Sequence, residues 1–163
     1  MSAALDSRGA NIRKGLCGLC VSLVLGFLAA CATAPAPPPA PPTPLIDSGI
    51  SGRWAAGKAE LGGRDFRPSA NFMLHVEGNL FSTHNGTRPD SGRLVFHAGD
   101  PKGLDVIGEH GPTAGRKLMA IYRVLGDGTA LEICYDLSGA TRPTEFVSKP
   151  DTQLFRITYT RAP

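Results

Sequence analysis

Cysteine is scarce in this chain, and its placement excludes a disulfide-based fold. Of the four cysteines, Cys17 and Cys20 lie inside an apolar N-terminal run and Cys31 directly follows it. Only Cys134 belongs to the rest of the chain, where it is flanked by apolar residues in a strand pattern. One cysteine cannot form an internal disulfide, so the folded part must be stabilised by its core. We interpret Cys134 as a small buried apolar residue.

A strong charge of one sign is also absent. The chain has 17 Lys and Arg against 14 Asp and Glu, and the basic residues form no stripe interleaved with aromatic side chains. Nucleic-acid-binding domains carry a clustered basic surface that neutralises phosphates. The composition therefore excludes nucleic acid as a partner.

No apolar run is long enough to span a bilayer comfortably. The longest covers 16 residues, from Gly15 to Ala30, and follows the basic residues Arg8, Arg13 and Lys14. A transmembrane helix needs about 20 apolar residues. A basic segment followed by a shorter apolar run is typical of a secretory signal peptide. We assign residues 1–30 to a signal peptide.

The end of this run predicts a lipid anchor. Leu28-Ala29-Ala30-Cys31 has the form of a bacterial lipobox, in which small residues precede the cysteine that carries the diacylglycerol. Cys31 is the predicted lipid attachment site, so a membrane is a predicted partner. Ala32 follows it, where Asp commonly retains lipoproteins in the inner membrane of enteric bacteria. We expect a cell-envelope protein in the outer membrane, facing the periplasm.

Residues 31–44 combine the lipidated cysteine with a proline-rich tether. Proline fixes φ and removes a backbone donor, which favours polyproline II over helix or strand. The segment directly follows the predicted anchor, so we interpret it as a spacer. A ligand for a domain that binds proline-rich segments is the alternative.

Residues 45–163 are predicted to form one all-β domain. Short apolar runs of strand length alternate with turn signals such as Glu77-Gly78-Asn79, Asn85-Gly86 and Gly126-Asp127-Gly128. This spacing favours an antiparallel meander, and closure into a barrel removes its exposed edges. A two-sheet sandwich is the alternative. Phe146-Val147 is counted among the predicted strands.

The domain resembles a known family. Gly52-Arg53-Trp54 matches the G-x-W that opens lipocalin-type barrels. Between Gly52 and about Arg161, the chain resembles the lipocalin-like conserved hypothetical domain expanded in planctomycete bacteria, with Ala120 where that family usually has Gly. The family implies an antiparallel lipocalin-like β-barrel of about eight to ten strands, without an established activity. The matching stretch includes Asp100-Pro101, Leu104-Asp105, Gly111-Pro112, Gly115-Arg116-Lys117, Ala120-Ile121-Tyr122, Asp127, Leu131, Ile133-Cys134, Arg142-Pro143 and Phe146.

The same resemblance implies a closed barrel floor. In lipocalin-type barrels an arginine of the last strand often packs across the tryptophan of the first. Trp54 and Arg161 form the predicted pair, with Arg156 as the alternative arginine. This pairing concerns stability and not ligand chemistry.

Candidate catalytic and metal-binding residues lack a supporting pattern. His75, His84 and His97 fall on separate strands at spacings that match no closed zinc site, so we predict no metal and no cofactor. We interpret the carboxylates near the loops, Asp105 among them, as turn and cap residues. We predict no catalytic residues and no enzyme activity.

The barrel interior is the remaining candidate site. A barrel of eight strands is either filled by side chains or holds one small ligand. We expect a non-enzymatic binding domain for a small apolar ligand or an envelope protein. A structural or interaction module with a solid barrel is the alternative. The predicted pocket lining is Phe72, Leu74, Phe96, Leu118, Tyr122 and Leu131.

Overall fold

A computed structural model describes residues 45–85 and 88–163, which form one antiparallel sheet. The predicted signal peptide, Cys31 and the tether lie outside the described residues, as does Gly86 of the Asn85-Gly86 turn. The strands are β1 (Gly52–Leu61), β2 (Arg64–Phe66), β3 (Met73–Glu77), β4 (Leu80–Asn85), β5 (Arg88–His97), β6 (Lys102–His110), β7 (Lys117–Leu125), β8 (Ala130–Asp136) and β9 (Leu154–Arg161).

The sheet closes into an eight-stranded barrel. β1 and β3 to β9 pair in chain order, and β9 pairs back onto β1. β2 is an additional strand that pairs only with the end of β1, from Ala59 to Leu61. Every pairing is antiparallel, which confirms the predicted barrel. The sandwich alternative is wrong because one continuous sheet closes on itself.

Alternation along the strands separates the interior from the outer face. In β5, for example, Leu94 and Phe96 are buried whereas Val95 and His97 are exposed. Because side chains alternate in this way along every barrel strand, apolar residues from all eight strands lie in one core cluster. The predicted inward-facing residues of β3, β5, β7 and β8 all belong to this cluster or pack against it.

Among the described residues, helical structure consists of short 3₁₀ turns at Ser48–Ile50 and Gly126–Gly128. Across residues 45–85 and 88–163, no helix has the length and apolar character needed to cross a membrane.

Two predictions about individual strands are wrong. Phe146-Val147 is not a strand but part of the long connection between β8 and β9. The Phe146 ring packs under the Arg123 guanidinium, 4.3 Å from ring centre to carbon, and the Val147 carbonyl accepts a bond from the Cys134 thiol. Conversely, β2 was missed because it has three exposed residues and no apolar alternation.

Trp54 and Arg161 lie together at one end of the barrel, where they form its floor. They are register partners on β1 and β9, and the Arg161 guanidinium lies 4.2 Å from the Trp54 ring centre. Trp54 is fully buried, and its Nε1 donates to the Ile50 carbonyl at 2.8 Å. The Arg161 guanidinium also donates to three backbone carbonyls, those of Gly49, Ser51 and Gly128.

Gly52 is required by this arrangement. Its φ is +128°, which L side chains rarely adopt, and a Cβ there would lie 2.7 Å from Nη1 of Arg161. The first glycine of the G-x-W sequence therefore leaves room for the guanidinium of the floor.

Asp47 fixes the 3₁₀ turn beneath the barrel to two strands. Its carboxylate accepts bonds from Lys102 Nζ at 2.7 Å, the Tyr122 hydroxyl at 2.8 Å and the Gly49 amide at 2.9 Å. Burial alone would raise the pKa of Asp47, but bonds from Lys102, Tyr122 and Gly49 outweigh it and lower the pKa. The floor is therefore bound to β6, β7 and β9.

Replacement of Arg161 by Lys is expected to destabilise the barrel. An ammonium group cannot stack flat on Trp54 and reach three carbonyls in different directions. We expect Arg161→Lys to lower the free energy of unfolding by about 2 kcal/mol, measured by urea denaturation. The matched control is Arg64→Lys on exposed β2, with an expected change within about 0.5 kcal/mol. Equal effects of the two changes would contradict this account of the floor.

Candidate functional site

A cavity of about 380 Å³ opens from the barrel interior at the end opposite the floor. It extends from Ile50, in the 3₁₀ turn at the floor, to Arg88, Pro112 and Thr113 at the mouth. This volume lies at the lower end of the range of small-molecule sites, about 300–1,000 Å³. Its wall is mostly apolar and includes Leu74, Val76, Phe81, Leu94, Leu104, Val106, Leu118 and Ile133.

Three of the six predicted lining residues, Phe72, Leu74 and Leu118, line this cavity. Phe96, Tyr122 and Leu131 do not, and for these three the prediction is corrected. They lie toward the floor, where the Phe96 and Tyr122 rings contact each other at 5.9 Å between centroids. Alternation identifies the side of the sheet that a residue faces, but not its height in the barrel.

Several lining residues were missed by the sequence prediction. Phe81, Val106, Tyr135 and Phe155 all face the cavity. Tyr135 and Phe155 share the phase of inward-facing residues on their strands, so the alternation signal was present. The height of each residue in the barrel depends on register between strands, which the sequence pattern does not provide.

Two tyrosines provide polar groups within the cavity wall. Tyr159 and Tyr135 interact through their hydroxyl groups. Burial raises the pKa of Tyr135 to about 12 and also raises that of Tyr159. Both phenols are therefore protonated at physiological pH and provide neutral hydrogen-bonding groups in an otherwise apolar wall.

The mouth has a polar side formed by the start of β5 and the loop after β6. The Thr113 hydroxyl contacts both carboxylate oxygens of Asp90, at 2.7 and 2.8 Å, and its amide donates at 3.3 Å. The adjacent Gly108 is essential for this loop, because a Cβ there would lie 2.0 Å from the Thr113 carbonyl oxygen. Asp90 therefore holds the loop against the barrel wall.

Asp105 is buried on the outer face of β6 and not in a turn, which corrects the expectation from sequence. It is 4% exposed and contacts Lys117 Nζ at 2.8 Å, His97 Nε2 at 3.2 Å and the guanidinium of Arg142. Burial would raise the pKa of Asp105, but Lys117, Arg142 and His97 outweigh it and lower the pKa. This cluster attaches the β8–β9 connection to the barrel.

A second buried carboxylate, Glu132, lies on the outer face of β8. It pairs with Arg123 at 2.6 Å and with Arg156 at 2.6 Å. The neighbouring Cys134 is fully buried, and burial raises the pKa of its thiol to about 11. These groups face away from the cavity and have no access to a ligand inside it.

The histidines do not converge on a metal-binding geometry. His75 and His84 are exposed on β3 and β4, whereas His97 on β5 pairs with Asp105 of the neighbouring strand β6. In the part of the chain that the structure describes, no three His, Cys, Asp or Glu side chains are grouped as metal ligands.

Comparison of the chain with protein-family models, curated proteins and solved structures found no match. The cavity and its polar mouth are therefore the basis for assigning a function.

We expect Asp105→Asn to reduce the acid sensitivity of the fold. Because the folded-state pKa of Asp105 is below its unfolded value, its stabilisation is complete above about pH 4 and is lost as pH falls through the folded pKa. Asp105→Asn should lower the free energy of unfolding by about 2 kcal/mol at pH 7, and the difference from wild type should shrink toward pH 2. Urea unfolding at several pH values measures it. Asp65→Asn on exposed β2 is the control, and its stability should depend on pH as that of wild type does.

Proposed function

We propose that this chain is a lipid-anchored envelope protein whose barrel binds a small, mainly apolar ligand without catalysing a reaction. The observation that carries the proposal is the open cavity of about 380 Å³ above a sealed floor. The resemblance to the lipocalin-like family of planctomycete bacteria belongs to the same proposal.

The chemistry of the cavity wall supports an apolar ligand. Apolar side chains form most of the wall, and the fully buried Trp54 closes the end opposite the mouth. Transfer of an apolar surface from water to such a wall is favourable by about 25 cal/mol per Å². A ligand would enter from the mouth, because Arg161 and Asp47 hold the opposite end closed.

The distribution of charged groups supports binding without catalysis. The buried carboxylates Asp105 and Glu132 face outward, and each is paired with cations. Asp90, a carboxylate at the mouth, is bound to Thr113. General acid–base catalysis needs two titratable groups that are held together in a cleft and have separated pKa values. The residues described in the cavity wall include no such pair.

The binding proposal is tested with a neutral apolar fluorophore, N-phenyl-1-naphthylamine. The protein is the chain from residue 31 with Cys31→Ser, which keeps the tether and lacks the lipid. We expect saturable fluorescence enhancement, and we expect Thr83→Trp to weaken binding at least fivefold because Thr83 lines the cavity. The matched control is Ser82→Trp, since Ser82 lies beside Thr83 on the outer face of β4.

Absence of fluorescence enhancement in a folded protein would overturn the binding proposal and favour a solid structural module. Equal loss of binding in Thr83→Trp and Ser82→Trp would place the probe outside the cavity. Native mass spectrometry of the same protein then identifies any ligand retained through purification, as added mass that is lost on activation.

The anchor is a separate part of the proposal, supported by the sequence around Cys31. A lipid on the Cys31 thiol would keep the protein in the envelope, and Ala32 in the next position favours the outer membrane.

We expect Cys31→Ser to move the full-length protein from the membrane fraction to the soluble fraction of bacterial cells. Loss of the thiol removes the atom that accepts the diacylglycerol. Fractionation and immunoblotting measure the change. Cys17→Ser, in the apolar run, is the control and should leave the protein in the membrane fraction; the same distribution for both variants would contradict lipidation at Cys31.

A further inference from the structure

We propose that the ligand carries one anionic head group, which Arg88 binds at the cavity mouth while its apolar tail enters the barrel. This inference rests on the proposed ligand-binding function and names the class of ligand.

Arg88 is a cation at the mouth without an assigned structural role. It is the first residue of β5, it is exposed, and it lines the cavity. Within residues 45–85 and 88–163 its guanidinium has no carboxylate within ion-pair distance and no hydrogen-bond acceptor. By contrast, Arg93, on the same strand, pairs with Glu109, and Arg156 on β9 pairs with Glu132. The Arg88 guanidinium is therefore available to a ligand.

The carboxylate that lines the cavity beside Arg88 is already bound. Asp90 faces inward two residues along β5, but its oxygens contact the Thr113 hydroxyl and amide and form no ion pair with Arg88. Asp90 thus fixes the loop rather than neutralising Arg88. Its charge opposes an anion, so the affinity of an anionic ligand should rise when Asp90 is replaced by Asn.

The opposite side of the mouth is apolar. Phe72, Leu137 and Phe155 line both the cavity and an adjoining groove that continues to Phe66. Phe66 and Phe155 pack edge to face, 5.4 Å between ring centroids. An anionic group would lose its hydration there without compensation, and deep in the barrel it would meet the neutral hydroxyl groups of Tyr135 and Tyr159 but no cation. The charged head of an amphipathic ligand is therefore best placed beside Arg88.

Decanoate and 1-decanol test this inference because they share one tail length and differ in head-group charge. Each displaces N-phenyl-1-naphthylamine from the chain from residue 31 with Cys31→Ser, at pH 7.5. A charge-assisted bond at an exposed site predicts that decanoate binds about three- to tenfold more tightly than decanol. In this background Arg88→Gln should abolish that difference.

The controls separate Arg88 from the general charge of the rim. Arg64→Gln removes an exposed cation on β2 that does not line the cavity, and should leave both affinities unchanged. Asp90→Asn should raise the affinity for decanoate relative to that for decanol.

Equal affinities of decanoate and decanol, or a decanoate affinity unaffected by Arg88→Gln, would overturn the anionic head group while leaving apolar binding intact. If neither compound nor the fluorophore binds, the proposed function itself fails and this inference fails with it.

Discussion

The contact of Arg161 with Trp54 and three backbone carbonyls joins the two ends of the barrel sequence. β1 and β9 are the first and last barrel strands, and their pairing converts an open sheet with two edges into a ring. The guanidinium lies on the Trp54 ring and donates to carbonyls before β1 and in the β7–β8 turn. One side chain therefore contacts the floor, the 3₁₀ turn Ser48–Ile50 and the closing strand pair. Gly52 leaves the room that this side chain needs.

The floor determines where free volume remains in the barrel. Trp54, Phe96 and Tyr122 fill the lower interior, and the Tyr122 hydroxyl donates a hydrogen bond to Asp47 outside it. Above this layer the inward side chains leave a cavity of about 380 Å³. An apolar void forfeits dispersion contacts and costs stability, so a bound apolar molecule would recover part of that loss. This is the physical argument for a binding domain over a solid module.

Local pattern was sufficient to predict most of the fold. Alternation and turn residues predicted the antiparallel barrel and the inward side of β3, β5, β7 and β8, since both depend on neighbouring residues. Other features depend on contacts between distant residues. Asp105 meets Arg142 across 37 positions, and Phe146 is held by Arg123 rather than by a strand partner. The wrong lining residues, Phe96, Tyr122 and Leu131, have the same origin, because height in the barrel is set by strand register.

The two faces of the barrel wall use charge in opposite ways. On the outside, Asp105 and Glu132 are buried, so each needs several cations to offset the cost of desolvation. Those cations come from separate strands and from the β8–β9 connection. Their ion pairs hold this connection against the barrel wall. At the mouth, Asp90 is bound by Thr113, and among the residues that the structure describes the Arg88 guanidinium forms no ion pair. A paired Arg88 would add little to stability at an exposed site. In the proposed ligand-binding function, Arg88 would give the mouth a preference for an anionic group that the apolar interior does not provide.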